Sequence, residues 1–460
     1  MFLNRVNKFL FLCLSTCSFF LINAQIISTF AGTGVAGYTG DGGQATLAEL
    51  DGPNGIAVDA SGNIYVANQF ECSIRKITPA GIIGTFAGTG VSGFSGDGGQ
   101  ASLAQLNGPI GITFDALGNL YVADAGNERV RKITSGGIIS TIAGTGTATF
   151  SGDGGPATSA GLNIPNGVAV DASGNVYITD DNNNRVRKIN TSGIISTFCG
   201  NGTAGFSGDG GQATSASINK ISGITIDAGG NFYIADNYNN RVRKITPSGI
   251  ISTYAGNGIG GSTGDGGSAT SASLNHPSRL TLDAAGNLYI SDDLNYKIRM
   301  VTTSGIISTV VGTGVAGFSG DGGNATTAQI KNPAGIAFDL SGDLLIGDWA
   351  NQRVRKVTGL AMPVPPVTKQ VFTIYNSFSP NGDGLNDLFE IDDITEFPKN
   401  HVSIFNRYGQ LLWNGDNYDN KTVVWDGKDN KKTDMAAGTY FYLIELDGGK
   451  TEKHWVELTK

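Results

Sequence analysis

The chain has 460 residues, too many for one ordinary compact domain and enough for a closed array of modules plus a small second domain. Its 69 glycines are about twice the usual share, yet 40% of its residues are hydrophobic, so the glycines punctuate short strands and do not signal disorder. A formal charge of −8 and a pI near 5.0 argue against nucleic acid and acidic membrane surfaces, which require a basic footprint.

Residues 1–24 carry Arg5 and Lys8, then an apolar run from Phe9 to Ile22, then Asn23 and Ala24. This is the layout of a secretory signal peptide cleaved after Ala24. A lipoprotein alternative using Cys17 fits less well, because Thr16 precedes the cysteine and the apolar run continues beyond it. No other stretch approaches the ~20 apolar residues of a transmembrane span. After processing only Cys72 and Cys199 remain, in different registers of modules that are not neighbours, which argues against a disulfide framework.

From Gln25 onward the chain repeats. The string GDGG begins at residues 40, 96, 152, 208, 264 and 320, a constant period of 56. Each period is therefore one supersecondary module that buries its apolar face against its neighbours. The second module reads GITFD, then NLYVAD, then RVRKI, then IISTIAG, four short runs rich in β-branched and aromatic residues and bounded by Gly, Asn, Asp or Ser. These are four strands, a to d. There are six a strands and six d strands, but the first d strand, near residue 26, precedes every a strand, while the last module stops at Thr358 without one. The N-terminal strand must then complete the last blade, which closes a ring of six four-stranded blades and removes its open edges. The expected fold is an all-β six-bladed β-propeller.

The segments PNGIAVDASGNIYVAN (53–68) and PNGVAVDASGNVYITDDNNNRVRKI (165–189) and their counterparts resemble NHL repeats, over residues 25–359. The first blade departs most, with Asn68, Glu71 and Ser73 where others carry Asp, Asn and Arg. The resemblance implies a fold and leaves the ligand open.

Alternating strand direction places the b-to-c turns and the long d-to-a insertions on one face, where repeat proteins usually bind. The insertions contain Asp41, Asp97, Asp153, Asp209, Asp265 and Asp321 of the GDGG motifs. Each could hold calcium with nearby carbonyls, or accept amide protons from the turn or from a short helix suggested by the AT-x-A-x-L pattern. A lone carboxylate per loop falls short of the six to eight oxygens calcium prefers, which favours the structural role. The Asp-x-x-Asn-x-Arg turns, as at Asp124, Asn127 and Arg129, and the aspartates that end strand a, Asp59 and its equivalents, suit turn formation.

A ligand site should lie where the blades differ. At the start of strand a, Lys220 marks blade 4, His276 and Arg279 blade 5, and Lys331 blade 6, with Gly at most positions equivalent to Arg279. These neighbouring blades place positive charge at the mouth of the central channel, which points to a small anion or carboxylate, with solvated surface charges as the alternative. The ligand class extends to a glycan, peptide or protein. No pair of His or His/Glu at metal-ligand spacing and no Ser/His/Asp set emerges, so enzyme chemistry of the lyase or lactonase kind, which propeller resemblance also allows, lacks a catalytic constellation.

After Thr358 a proline-bearing spacer, residues 360–370, leads to 371–460, expected as a small β-sandwich. The stretches FSPNGDGLNDLFEI, IFNRYGQLLW, WDGK and AAGTYFYLIEL resemble the gliding-motility-associated C-terminal domain, the type B sorting signal of type IX secretion. That resemblance implies export across the outer membrane by the type IX machinery, removal of the domain, and a protein secreted or held on the cell surface. Asp383 and Asp387 with Asn381 and Asn386 could bind calcium, although a rigid turn suits their spacing better. An extracellular binding or adhesion module follows; a secreted enzyme or a purely architectural repeat are the alternatives.

Overall fold

In a computed structural model, residues 25–360, 377–382, 387–391, 394, 399–446 and 451–459 are described. The proposed signal peptide and residues 361–370 of the spacer lie outside them. The chain divides into two units, Met1–Pro363 and Val364–Lys460.

Six antiparallel four-stranded sheets make up the first unit. In blade 3 they are Pro165–Val170, Val176–Asp180, Arg185–Ile189 and Ile195–Cys199. The strand Ile26–Ala31 pairs with Arg353–Thr358, setting Ile27 opposite Val357, so the last blade takes its outermost strand from the N-terminus. The core is divided between neighbouring sheets. Strand b is buried along its whole length in every blade, and Tyr177 of blade 3, for example, packs on Phe232 of blade 4 with ring centroids 4.4 Å apart. Burial on both faces explains why strand b reads as continuously apolar.

The inner turns are held as expected for turn formers. Asp171 Oδ1 accepts the amides of Ser173 and Asn175, and its Oδ2 accepts Asn175 Nδ2 and the Tyr177 hydroxyl. These donated hydrogen bonds hold its carboxyl below the usual range against the opposing effect of burial, which is the largest single influence on it.

The GDGG aspartates have partners other than those anticipated. Each pairs with the arginine at the third position of strand c, which begins RVRK in most blades, and the side chain of that arginine is fully buried in all six. Arg187 Nη2 lies 2.6 Å from Asp153 Oδ1, and Nη1 lies 3.3 Å from Oδ2 of Asp180, itself fully buried. Its remaining donations go to the carbonyls of Ser151 and Gly161. Asp153 Oδ2 accepts the Thr197 hydroxyl at 2.6 Å. The reason is electrostatic: a guanidinium taken out of water demands carboxylate and carbonyl acceptors, a stronger demand than that of turn amides. The short helix of the insertion is present as a single 3-10 turn, Ala157–Ser159 in this blade, and Leu50, Leu106 and Ile330 of equivalent insertions are fully buried.

In the second unit the strands Asn400–Phe405, Leu411–Asp416, Gly438–Leu446, Thr451–Leu458 and the short Ser377–Phe378 form one five-stranded sheet. Where two packed sheets were expected, the described residues provide one, with isolated bridges joining Phe389 to Trp425 and Lys428 to Asp434. Trp425 and Phe389 cover the sheet's aromatic face, packing on Tyr440 and Tyr442.

Blade 1 supplies a test of the arginine clamp, because Asn68 stands where other blades have a buried Asp, and Arg75 pairs with Asp41 alone. Arg187→Met leaves Asp180 buried without its counter-charge and should cost about 3–5 kcal/mol. Arg75→Met orphans only the half-exposed Asp41 and should cost about 1–3 kcal/mol. Urea denaturation of the two variants checks the order, and Asp180→Asn added to Arg187→Met should recover part of the loss.

Candidate functional site: the mouth of the central channel

The inner strands surround a channel whose narrow section is lined by Gly55, Gly111, Gly167, Gly223 and Gly335, one per blade, with Arg279 at the sixth position. The glycines are required by close approach. A Cβ on Gly167 would stand 2.6 Å from the Ser222 carbonyl oxygen, and one on Gly223 2.6 Å from that of Ser278. Blade 5 alone admits a side chain, and it is a charged one. At this point the carbonyl of Ala334 on the next blade accepts the Ser291 hydroxyl at 2.7 Å.

Above the narrow section the channel widens into a cavity of about 340 Å³. Two rings of positions line it, the second residue of strand a, including Asn54, Asn166 and Ser278, and the residue following strand b, including Gln69, Asn237, Asp293 and Trp349. Arg279 projects into the cavity. Its Nη2 donates to Asn54 Oδ1 at 3.1 Å, Asn54 Nδ2 donates to Gln69 Oε1, and Trp349 Nε1 donates to the same Gln69 oxygen. Arg279 Nη1 is buried without a partner, as is Asn166 Oδ1, while Arg279 Nε is unmet like the Nε of all six clamp arginines. The Asp181 carboxyl interacts with the Asn166 amide. Buried polar atoms without partners are uncommon in native proteins and call for an explanation.

Burial dominates the electrostatics. It lowers the Arg279 pKa to about 10 in spite of the pull of Asp181 and Asp293. It raises Asp181 to about 6, with Lys220 and Arg279 acting in the opposite direction. Asp293 is raised for the same reason, against the Asn332 amide, which donates to it at 3.0 Å, and the charges of His276 and Arg279.

Of the four positions singled out in the sequence, Arg279 lines the cavity. His276 reaches its edge, with Nδ1 2.9 Å from Oδ1 of the lining residue Asn237 and its ring against Tyr238. Lys220 Nζ bonds Asn182 Oδ1, beside Asp181. Lys220 and His276 both hold left-handed backbone, φ 54°, at a position that is glycine in blades 1 and 2. Ile164 and Asn332 hold it too, and Gly52 and Gly108 have φ 66° and 57°, so the conformation belongs to the repeat in all six blades. Lys331 is exposed, and its amide donates to Asp348 Oδ1. Asp181, Asp293, Asn54, Asn166, Asn237 and Trp349 were not anticipated. Their signal lay in the repeat itself: the residue after strand b runs Gln69, Ala125, Asp181, Asn237, Asp293, Trp349, a variable column beside an almost constant one.

The outer face is more uniform. Asn127 Nδ2 donates to Gly93 O at 2.7 Å, tying the b-to-c turn to the insertion, and Arg129 stacks over Phe94 with Cζ 3.8 Å from the ring centre. Among the described residues no group of three or more His, Cys, Asp or Glu could hold a metal ion. Asp387 Oδ1 accepts the Gly382 amide at 2.8 Å, and Asp383 and Asn386 lie outside the described residues. Among the described residues no helix is long and apolar enough to cross a membrane.

Asp181 gives the site a measurable pH signature. Its folded-state pKa of about 6 exceeds the ordinary 3.8, so its contribution to stability is fully present below about pH 4 and lost as pH rises through 6. Asp181→Asn should therefore raise the melting temperature by a few degrees at pH 7.5 and hardly change it at pH 4, as followed by thermal denaturation.

Comparison with known proteins agrees with this architecture. The Teneurin NHL domain family matches residues 33–94, 89–151, 146–207 and 258–319, together more than half of the chain, and the NHL repeat matches 219–245. Mouse Teneurin-4 is 27% identical over 354 residues, covering 67% of this chain and 12% of that protein, so the chain spans a small part of this relative. A solved Bacteroides thetaiotaomicron protein of unknown function shares the fold at TM-score 0.55 and 23% identity, covering 73% of this chain and 76% of its own. An auxiliary nutrient binding protein from Bacteroides ovatus does so at TM-score 0.54 and 16% identity, covering 73% and 76%. Residues 372–458 match the CHU_C type IX secretion signal domain, which implies export and interaction with that machinery. With its closed ring of 56-residue modules and its separate C-terminal sheet, the chain belongs to the Teneurin NHL domain family of propellers and carries a type IX secretion signal domain.

Proposed function

We propose that this chain is an extracellular binding protein, displayed on the outer surface or released from it, whose propeller takes a small carboxylate-bearing ligand at the channel mouth. The observation that carries this reading is Arg279, a guanidinium that lines a solvent-open cavity and whose Nη1 is buried and met by no protein group, whereas the six clamp arginines leave only Nε unmet. Leaving such a donor unmet costs about 1–3 kcal/mol, more for a charged group. A ligand carboxylate that accepts from Nη1 and from the second hydrogen of Nη2, the end-on fork of the guanidinium, would remove that cost on binding, and the fork suits a planar carboxylate. Lys220 adds positive charge on the approach.

The ring supplies its own control variant. Five blades carry glycine at the Arg279 position, so Arg279→Gly should fold while losing the site. Small carboxylates at millimolar concentration should raise the melting temperature of the full chain and leave Arg279→Gly unmoved, since a ligand that binds only the folded state stabilises it by mass action. Equal shifts in both proteins would place binding elsewhere. Deleting residues 372–458 should hold the propeller inside the cell, and fractionation of cells and medium reads this directly.

A further inference from the structure

The channel mouth carries acid as well as base, and this narrows the ligand. Asp293 lines the same cavity as Arg279, and Asp181 is near enough to act on Arg279 electrostatically, yet no salt bridge joins the guanidinium to either carboxylate. A ligand bearing only a carboxylate would bring a third negative charge to one guanidinium. In a site of low dielectric, where like charges repel strongly, that arrangement is unfavourable. The atoms without partners also come in both kinds. Arg279 Nη1 is a donor, whereas Asn166 Oδ1 is an acceptor, and the Asp181 carboxyl already interacts with the Asn166 amide. Asn166 lines the cavity itself, and Asp293 has one carboxylate oxygen occupied by Asn332.

A complementary ligand therefore presents an acceptor anion and a donor cation together, with no net charge. Building on the reading of the mouth as a carboxylate site, we propose that its ligand is a small zwitterion of the α-amino-acid type, with the carboxylate on Arg279 and the ammonium group toward Asn166 and Asp293. The cavity of about 340 Å³ is of the size that encloses a small molecule. Ile110, Ala334 and Trp349 supply apolar wall for a side chain.

The test is isothermal titration of the full chain at pH 7.5 with L-alanine, L-glutamine and L-phenylalanine. The matched deaminated acids, propionate and 3-phenylpropionate, and the matched amine phenethylamine serve as comparators, with glucuronate as a carboxylate lacking nitrogen. At least one amino acid should bind tenfold or more tighter than its deaminated or decarboxylated analogue. Arg279→Gly should lose that binding by tenfold or more. Asp293→Asn, isosteric and still able to meet Asn332, should weaken the amino acid and strengthen the deaminated acid, a reversal that a folding defect would not produce. Wild-type preference for propionate, 3-phenylpropionate or glucuronate over every amino acid overturns the zwitterion while leaving the Arg279 carboxylate site standing. Absence of any Arg279-dependent carboxylate binding overturns both.

Discussion

Six buried arginines hold this propeller to its shape. A blade of four short strands could form without them, but the insertion of about 20 residues between blades has little apolar surface of its own. Arg131, Arg187, Arg243, Arg299 and Arg355 each reach through the sheet to one carboxylate at the end of strand b and another in the GDGG loop, and Arg75 reaches the loop alone. The clamp turns a glycine-rich loop into a fixed part of the blade. A buried ion pair is weak as a source of net stability, because desolvation offsets most of its attraction. What it supplies here is position: a guanidinium with its acceptors at fixed angles tolerates one loop geometry, and the loop is repeated six times.

With the scaffold so uniform, chemistry is confined to the positions the clamp does not use. The residue after strand b and the second residue of strand a face the channel and bond little of the blade's own framework. They vary freely from blade to blade, from Ala125 to Trp349 and from Ile110 to Asn54. The mouth is thereby asymmetric although the ring is nearly symmetric. Arg279 is the sharpest break, since it stands where close packing otherwise forbids any side chain.

The architecture was legible in the sequence because period, strand length and an unpaired first strand are properties of the chain's pattern. Strand b of blade 2, NLYVAD, could be placed from its residues alone. The partner of the GDGG aspartates was not legible. In RVRKI, Arg129 and Arg131 are identical letters two apart, so they leave the same face of the strand and both lie over Phe94. Only the folded blade makes Arg129, at the turn end, half-buried and Arg131, one step further in, fully buried, against the usual expectation that arginine is exposed. The same limit applies to the mouth. Arg279 stood out as a charge in a glycine column, whereas Asp181 and Asp293 follow the constant Asp of strand b, and their burial depends on how six blades converge. In the second domain, stretches such as WDGK and AAGTYFYLIEL identified its kind, while the packing of Trp425 on Tyr440 required the fold.

The last blade is assembled from the two ends of the propeller, with Thr358 hydrogen-bonded to Ile26 across 332 residues of sequence. Until the final repeat has been synthesised, the first strand has no sheet to join, and the growing chain is an open arc with an unpaired edge at each end. Blades can form in order as they emerge, since their contacts are local, but the closing event is the most distant in sequence and therefore the slowest to find. Ring closure thus acts as a completeness check on the polypeptide: a chain truncated before its last blade never acquires a finished perimeter and keeps the exposed edges by which nascent β-proteins aggregate.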